Sequence, residues 1–243
     1  MWQQFLSCVS PKYFYQHASK VSFWLGLISC ILLGAGLIDG LCFAPADYQQ
    51  GDAFRIMYIH VPASFMSLAI YSFMTICAIL ILVWKIKLAE ALLKVSVSLG
   101  LGMTFIALTT GSIWGKPMWG TAWIWDARLT SELILFFLYF SILALFNAIR
   151  DPGTAARITA IVVLLGAVDV PIVHYSVNWW NTLHQGSTIS RFSKPAMDNA
   201  MLYPLLMMIV GFFTYTFSLI FYRAKTEIAY RERNAQWVQQ LFS

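Results

Sequence analysis

A tryptophan-rich segment, WGKPMWGTAWIWDARLT, spans residues 114–130 and holds four of the ten tryptophans in the chain. They are Trp114, Trp119, Trp123 and Trp125, interrupted by glycine and proline and flanked by charged residues. Indole rings are wide, rigid and polarisable, so several of them together suit a flat, apolar ligand. A membrane-interface belt is the alternative, because it collects tryptophans without any ligand. The density of the cluster and its glycine breaks favour the ligand.

The breakers in this segment predict its local structure. Two glycines and Pro117 predict that any helix is interrupted before about Thr121. From Trp119 onward a helix is possible, and Trp119, Trp123 and Asp126 would then share one face. Such a segment would lie in the plane of the membrane interface, with its rings toward the bilayer surface or a ligand. We interpret Asp126 as a residue that orients a ligand or a loop.

Two histidines lie in or beside the connections that flank this segment. His60 is in YIHVP and His184 is in NWWNTLHQGS. Neutral imidazole binds iron, and haem accepts one axial ligand on each face, so an aromatic shelf between two histidines fits haem. Either histidine alone could instead be an interfacial hydrogen-bonding residue. Trp180 would share a face with His184 if their segment were helical, and we expect Trp180 to contact the ligand as well.

A further histidine, His174, follows Pro171 in DVPIVHY. The proline predicts a kink in the apolar run that contains it. His174 could be a third ligand, but we favour a buried, hydrogen-bonded role beside Asp169.

Cationic residues near the aromatic segment and the two histidines could hold the two propionates of haem. Arg55 and Arg128 are the candidates that we favour, since a planar guanidinium suits a carboxylate, and Lys116 is a weaker one. Arg128 could also form an i, i+4 ion pair with Glu132.

The elements that position these residues are expected to be membrane helices. The chain is 59% hydrophobic and 11% charged, whereas a soluble domain has about 25% charged residues. We predict an all-α integral membrane protein of one domain, residues 1–243, in which residues 114–128 form an aromatic loop. The chain has six apolar runs of roughly the 20 residues that a span needs. They are Val21–Phe43, Tyr58–Trp84, Leu93–Ile113, Leu129–Ile149, Arg157–Tyr175 and Met201–Tyr222.

Charge predicts the orientation of these spans. Eleven of the sixteen Lys and Arg residues fall on the side that holds both termini, and five fall on the other. The positive-inside rule therefore places both termini in the cytoplasm and the aromatic segment with His60 and His184 outside. The net charge of +5 is explained by this anchoring and needs no nucleic-acid partner.

Several function classes fit the sequence less well. The four cysteines form no C-x-x-C motif, which argues against a thiol–disulfide oxidoreductase. The chain has no P-loop, so any ATP use belongs to another chain. A b-haem oxidoreductase that exchanges electrons with quinone is the main alternative, but it would need further histidines inside the spans for a second haem. A permease would need polar groups near the midplane.

The segments WGKPMWGTAWIWDARLTSE, FAPADYQQG, YIHVPA and HYSVNWWNTLHQGS resemble the haem exporter protein C (CcmC) family, which carries a WWD motif, over nearly the whole chain. The resemblance implies a haem-handling protein of the bacterial inner membrane that acts in cytochrome c maturation and is not an enzyme. It would hold haem b transiently at the periplasmic face and deliver it to the haem chaperone CcmE. The implied partners in its membrane complex are CcmA, which binds ATP, CcmB and CcmD.

The resemblance also implies roles for individual residues. His60 and His184 match the axial ligands of the haem iron. The haem-binding motif of the family matches Trp114, Trp119, Trp123, Trp125 and Asp126.

Overall fold

The helices of a computed structural model confirm the predicted all-α fold. The structure describes residues 10–184 and 197–241, and six helical stretches within them are long and apolar enough to cross a membrane. The helices are α1 (Pro11–Ile38, continued by a π-helical turn, Asp39–Phe43), α2 (Met57–Trp84, preceded by a 3₁₀ turn, Asp52–Ile56), α3 (Lys87–Trp119), α4 (Ala127–Ala148), α5 (Pro152–Gly166), α6 (Asp169–Trp179), α7 (Asn199–Arg231) and α8 (Gln236–Gln239). The chain is therefore a multi-pass membrane protein.

Most of the helices extend beyond the apolar runs that predict them. Helix α1 begins at Pro11, well before Val21, because the hydroxyl of Ser10 caps it by accepting a hydrogen bond from the Tyr13 amide. Hydropathy detects the part of a helix that faces lipid, whereas the ends of the helix are set by capping residues.

The fifth span consists of two helices. Helix α5 ends at Gly166 and α6 begins at Asp169, just before Pro171, which therefore lies in the first turn of α6, where its missing N–H costs little. A side chain at Gly166 would collide with the hydroxyl of Tyr71 on α2, so the glycine permits this close approach. The kink predicted from Pro171 is a break in the helix.

Tight contacts between small and large side chains hold the bundle together. Tyr139 of α4 lies where a side chain at Gly100 of α3 would be, and Tyr71 packs edge-to-face against Tyr139 at 5.2 Å between ring centres. Helix α1 packs along α7, and the hydroxyl of Ser29 donates to the Gly211 carbonyl. Close packing and interhelical hydrogen bonds are the main forces between helices in lipid, where the hydrophobic effect is weak.

The two ends of the bundle differ in chemistry. At one end, which we call the basic end, Lys94 and Arg231 both bind the carboxylate of Glu227, and Arg231 also binds Glu90. These ion pairs fasten α3 to α7. At the opposite end, which we call the histidine end, α2 begins and α3 finishes. The candidate functional residues lie there.

Candidate functional site

His60 and His184 meet at the histidine end although they are far apart in sequence. His60 lies in the first turn of α2, and His184 follows the end of α6. Their ring centres are 6.2 Å apart and the rings are inclined by 47°. One metal bound by two imidazoles, with bonds of about 2 Å to each nitrogen, would set the ring centres about 6 Å apart. The pair therefore has the spacing of two ligands on opposite sides of one ion.

The surroundings of His60 orient its imidazole. Its Nδ1 lies 3.0 Å from the Ala107 carbonyl oxygen and 3.1 Å from Thr110 Oγ1, both on α3. A carbonyl only accepts, so Nδ1 carries the proton and donates it, which leaves the lone pair on Nε2. Ligating histidines are typically fixed through such a hydrogen bond from the other ring nitrogen. Gly111 lets the ring approach α3, since a Cβ there would lie 2.9 Å from the His60 Cε1 atom.

The His184 ring is held less tightly. Its backbone amide donates to Thr182 Oγ1, and its ring centre lies 5.2 Å from that of Trp119. The Nδ1 atom of the ring is buried and has no hydrogen-bond partner among the described residues. Burial, followed by the positive charge of Arg128 and by His60, lowers the pKa of His184 to about 3. The imidazole is therefore neutral at pH 7, which is the form that binds a metal.

An open cavity lies between these histidines and the end of α3, with about 420 Å³ of empty space that includes solvent at its mouth. Trp114 and Trp119 form part of its wall, and Trp114 stands edge-on to His60 at 5.7 Å between ring centres. The amide oxygen of Gln50 accepts a hydrogen bond from Trp114 Nε1 at 3.0 Å and so fixes the indole. The cavity is lined by Gln50, His60, Gly111, Trp114, Gly115, Met118, Trp119 and His184.

The first part of the tryptophan-rich segment is helical, contrary to prediction. Helix α3 continues through Pro117 to Trp119 and ends at Gly120, whose φ of 77° is left-handed. Pro117 lies in the last turn and removes a single hydrogen bond, so it does not stop the helix. Residues 120–126 are not helical, and α4 begins at Ala127. The prediction that Trp119, Trp123 and Asp126 share one helical face is therefore wrong, and residues 114–119 do not belong to a loop.

The rest of the predicted cluster lies outside this cavity. Trp123 and Trp125 pack against each other at 5.4 Å, and Trp125 is 77% exposed. Asp126 caps α4 by accepting a hydrogen bond from the Leu129 amide at 2.8 Å. Trp180 is half-exposed in extended backbone after α6, so it shares no helical face with His184. Two buried atoms here have no partner among the described residues, namely Trp123 Nε1 and Asp126 Oδ2.

Arg128 lines a second open cavity, together with both histidines, Ser64 and Glu132, with about 310 Å³ of empty space that includes solvent at its mouth. Its guanidinium donates to the Val173 carbonyl at 2.6 Å and to Ser64 Oγ at 2.9 Å. Arg128 and Glu132 are both described residues and form no ion pair, so the predicted i, i+4 pair is wrong. The guanidinium is hydrogen-bonded to α6 and α2 through these two acceptors instead of to Glu132 on its own helix.

Arg55 lines neither cavity. Its guanidinium donates to the carbonyls of Gly40 and Ala44 and to the carboxylate of Asp52. It therefore fastens the end of α1 to the turn that precedes α2.

The chain is similar to known proteins over almost its whole length. The family model described as Heme exporter protein C matches residues 4–239. A curated Heme exporter protein C from Haemophilus influenzae is 45% identical over 99% of this chain and 98% of its own length. The relatives from Escherichia coli K12 and Bradyrhizobium diazoefficiens, which have the same name, are 46% and 42% identical over 99% and 96% of this chain and 97% and 89% of their own lengths.

The chain belongs to the Heme exporter protein C family.

The family name concerns haem, and the site at the histidine end fits that molecule in two respects. Two imidazoles have the spacing for one iron, and the wall beside them is aromatic. A third histidine does not contribute: His174 is exposed and contacts the ring of Tyr175. The prediction of a buried His174 beside Asp169 is therefore wrong.

Sequence reasoning missed several residues that line the two cavities. Gly111, Gly115 and Met118 follow one face of α3 toward Trp119, at spacings of four and three residues. This pattern would have identified them if the helix had been continued through Pro117. No comparable signal marks Gln50, whose position depends on a tight turn in which Gly51 has a left-handed φ of 55°.

Proposed function

We propose that this chain binds haem at the histidine end and passes it to a partner during cytochrome c maturation. The observation that carries the proposal is the 6.2 Å separation of the His60 and His184 rings, which suits two axial imidazoles on one iron. Membership of the Heme exporter protein C family supports the same ligand. Haem is the cargo here, and this chain coordinates the iron without changing a covalent bond of the porphyrin.

His60 and His184 are proposed as the axial ligands, with Nε2 of His60 free for the iron because Nδ1 is bound to α3. Trp114 and Trp119 supply apolar area against the ring, and Gln50 keeps Trp114 in place. Burial lowers the pKa of His184, so its imidazole is neutral and able to bind the iron.

The remaining candidates are assigned to the edge of the haem. Arg128 lines the second cavity and is proposed to hold a propionate. Arg55 uses three of its five N–H groups within the protein, and we assign the others to the second propionate. A further set is proposed to close over the ligand from its exposed side: Trp123, Trp125, Asp126 and Trp180.

The proposed setting is the bacterial inner membrane, with both termini cytoplasmic and the histidine end facing the periplasm. The ion-paired basic end and the excess of Lys and Arg on that side support this orientation. The periplasmic haem chaperone CcmE is the proposed recipient. CcmA, CcmB and CcmD are the proposed partners in the membrane, with ATP use assigned to CcmA.

The test is an absorption spectrum of the purified chain with added haem. Two imidazole ligands give a six-coordinate, low-spin spectrum, and a variant with both His60→Ala and His184→Ala should lose it. A stably inserted double variant that keeps the wild-type spectrum would contradict the proposal. Stoichiometric, non-exchangeable haem that quinol reduces would instead support a membrane oxidoreductase.

A further inference from the structure

Two carboxyl groups are buried inside the membrane-spanning part of the bundle. Glu132 of α4 is 5% exposed, and Asp169, the first residue of α6, is 9% exposed. Ionisable side chains within membrane spans are costly to bury and usually have a function. Neither residue is among the proposed iron ligands or the aromatic wall.

The contacts of these carboxyl groups are incomplete. Glu132 Oε1 accepts a hydrogen bond from Ser67 Oγ at 2.8 Å, but Glu132 Oε2 has no partner among the described residues. Asp169 Oδ2 and the hydroxyl of Tyr71 are also buried without a described partner. Arg128 of α4 donates to the Val173 carbonyl of α6, and Glu132 and Asp169 lie one helical turn from these two residues on the same helices, so the two carboxyl groups face each other across α4 and α6. A buried acceptor without a donor is destabilising, and the Tyr71 hydroxyl can donate to only one of the two carboxyl oxygens, so the cluster still lacks one donor.

The charges in this region do not balance if both carboxyl groups are ionised. Arg128 is the cation that acts on Glu132, but its N–H groups bind neutral acceptors, namely the Val173 carbonyl and the Ser64 hydroxyl. One guanidinium would therefore face two carboxylates. An unpaired negative charge in a low-dielectric interior is strongly unfavourable.

The other titratable groups around the carboxyl pair are neutral donors or acceptors. The hydroxyl of Tyr139 on α4 donates to the Ser67 carbonyl at 2.7 Å, and Tyr71 comes from α2. His60 and His184 line the second cavity together with Glu132, but no hydrogen bond between the described residues joins either carboxyl group to a histidine ring. Nothing in this set adds a second positive charge.

We propose that Glu132 and Asp169 bind one proton between them and form an intramembrane proton site beside the second cavity. One shared proton leaves one negative charge, which Arg128 balances. It also provides the donor that the unpartnered carboxyl oxygens lack. A metal cation would need about six oxygen ligands, whereas a proton needs a single acceptor, so this small cluster suits the proton. Because Glu132 lines the cavity, any charge that enters it acts directly on this pair.

Infrared spectroscopy of the full chain in lipid nanodiscs, without added haem, tests this proposal separately from the haem-binding function. A protonated carboxyl group has a C=O stretch that carboxylates lack, and this band moves to lower frequency in D₂O. We expect such a band at pH 7. Glu132→Gln should abolish it, and Asp169→Asn should abolish it too, because the single remaining carboxyl group no longer faces a second negative charge and ionises, with the nearby charge of Arg128 to balance it.

Controls make each outcome decisive. Glu227→Gln removes an ion-paired carboxylate at the basic end and should leave the band unchanged. If Glu132→Gln fails to insert, Glu132→Asp keeps a carboxyl group at the position and should keep the band. The proposal is overturned if the wild-type chain has no band, if the band survives both single substitutions, if Glu227→Gln removes it, or if Glu132→Asp loses it.

Discussion

Replacing Gly111 by alanine should displace the imidazole of His60. The added Cβ would lie 2.9 Å from the His60 Cε1 atom and 3.4 Å from Nδ1. Carbon atoms in contact prefer a separation of about 3.5–4.0 Å, so the ring must move away from α3 by roughly 0.6–1 Å. Both groups are buried in the interface between two spans, where α3 and α2 have little room to separate.

This displacement is large enough to break the bond that orients the ring. His60 Nδ1 is 3.0 Å from the Ala107 oxygen, and a shift of about 0.6 Å would bring the pair to roughly 3.6 Å, beyond hydrogen-bonding distance. Loss of a hydrogen bond that supports a metal ligand typically lowers affinity about 10–100-fold. We expect Gly111→Ala to weaken haem binding by that factor and to reduce the low-spin fraction.

The assay is a haem titration followed by absorption spectroscopy, with insertion of the variant checked by gel filtration in detergent. Gly102→Ala is the matched control, because Gly102 lies on the same helix and nothing lies within 4 Å of its added Cβ. The control should bind haem like the wild-type chain. A well-inserted Gly111→Ala variant with wild-type affinity and spectrum would refute the assignment of His60 as an oriented ligand.

Four further predictions test the remaining parts of the site. His184→Ala should shift the spectrum of bound haem toward high spin, and added imidazole should partly restore the low-spin bands; no change on imidazole addition would count against a vacated axial position. Trp119→Ala should lower haem retention more than Trp123→Ala, since only the first ring lines the cavity, and equal losses in a retention assay would contradict this. Gln50→Glu keeps an acceptor for Trp114 Nε1 and should retain its indole fluorescence environment, whereas Gln50→Leu should change it; indistinguishable emission from the two variants would disprove the role of this bond. A reporter that is active only in the periplasm should be silent at the C-terminus, and activity there would reverse the proposed orientation.

Hydropathy predicts the parts of this fold that depend only on composition. The six apolar runs identify the six spans, because lipid tolerates only long stretches of apolar residues with satisfied backbone bonds. The ends of the helices depend on single polar side chains instead. Ser10 and Asp151 cap α1 and α5 outside the apolar runs, so their positions follow from local hydrogen bonds that a hydropathy window does not detect.

The error in the tryptophan-rich segment has a specific physical cause. Pro117 and Gly115 predict a break because each is unfavourable in the middle of a helix. Both residues lie near the end of α3, where Pro117 removes only one bond and Gly115 lets the Trp119 ring pack against the backbone. Gly120, with its left-handed φ, ends the helix. Composition identified the residues, whereas the position of the helix end decided which of them face the cavity.

The spacing of the two histidines could not be predicted from the sequence, because it depends on contacts between distant segments. His60 is placed by hydrogen bonds to α3 and by the space that Gly111 leaves. His184 lies five residues beyond the end of α6 at Trp179, so its place depends on the position of α6 after the break in the fifth span. Arg128 reinforces this arrangement by donating to a carbonyl of α6 that is 45 residues away in sequence. The residue types indicate which groups can bind iron, but a broken span and one glycine bring them to the distance at which they can bind it together.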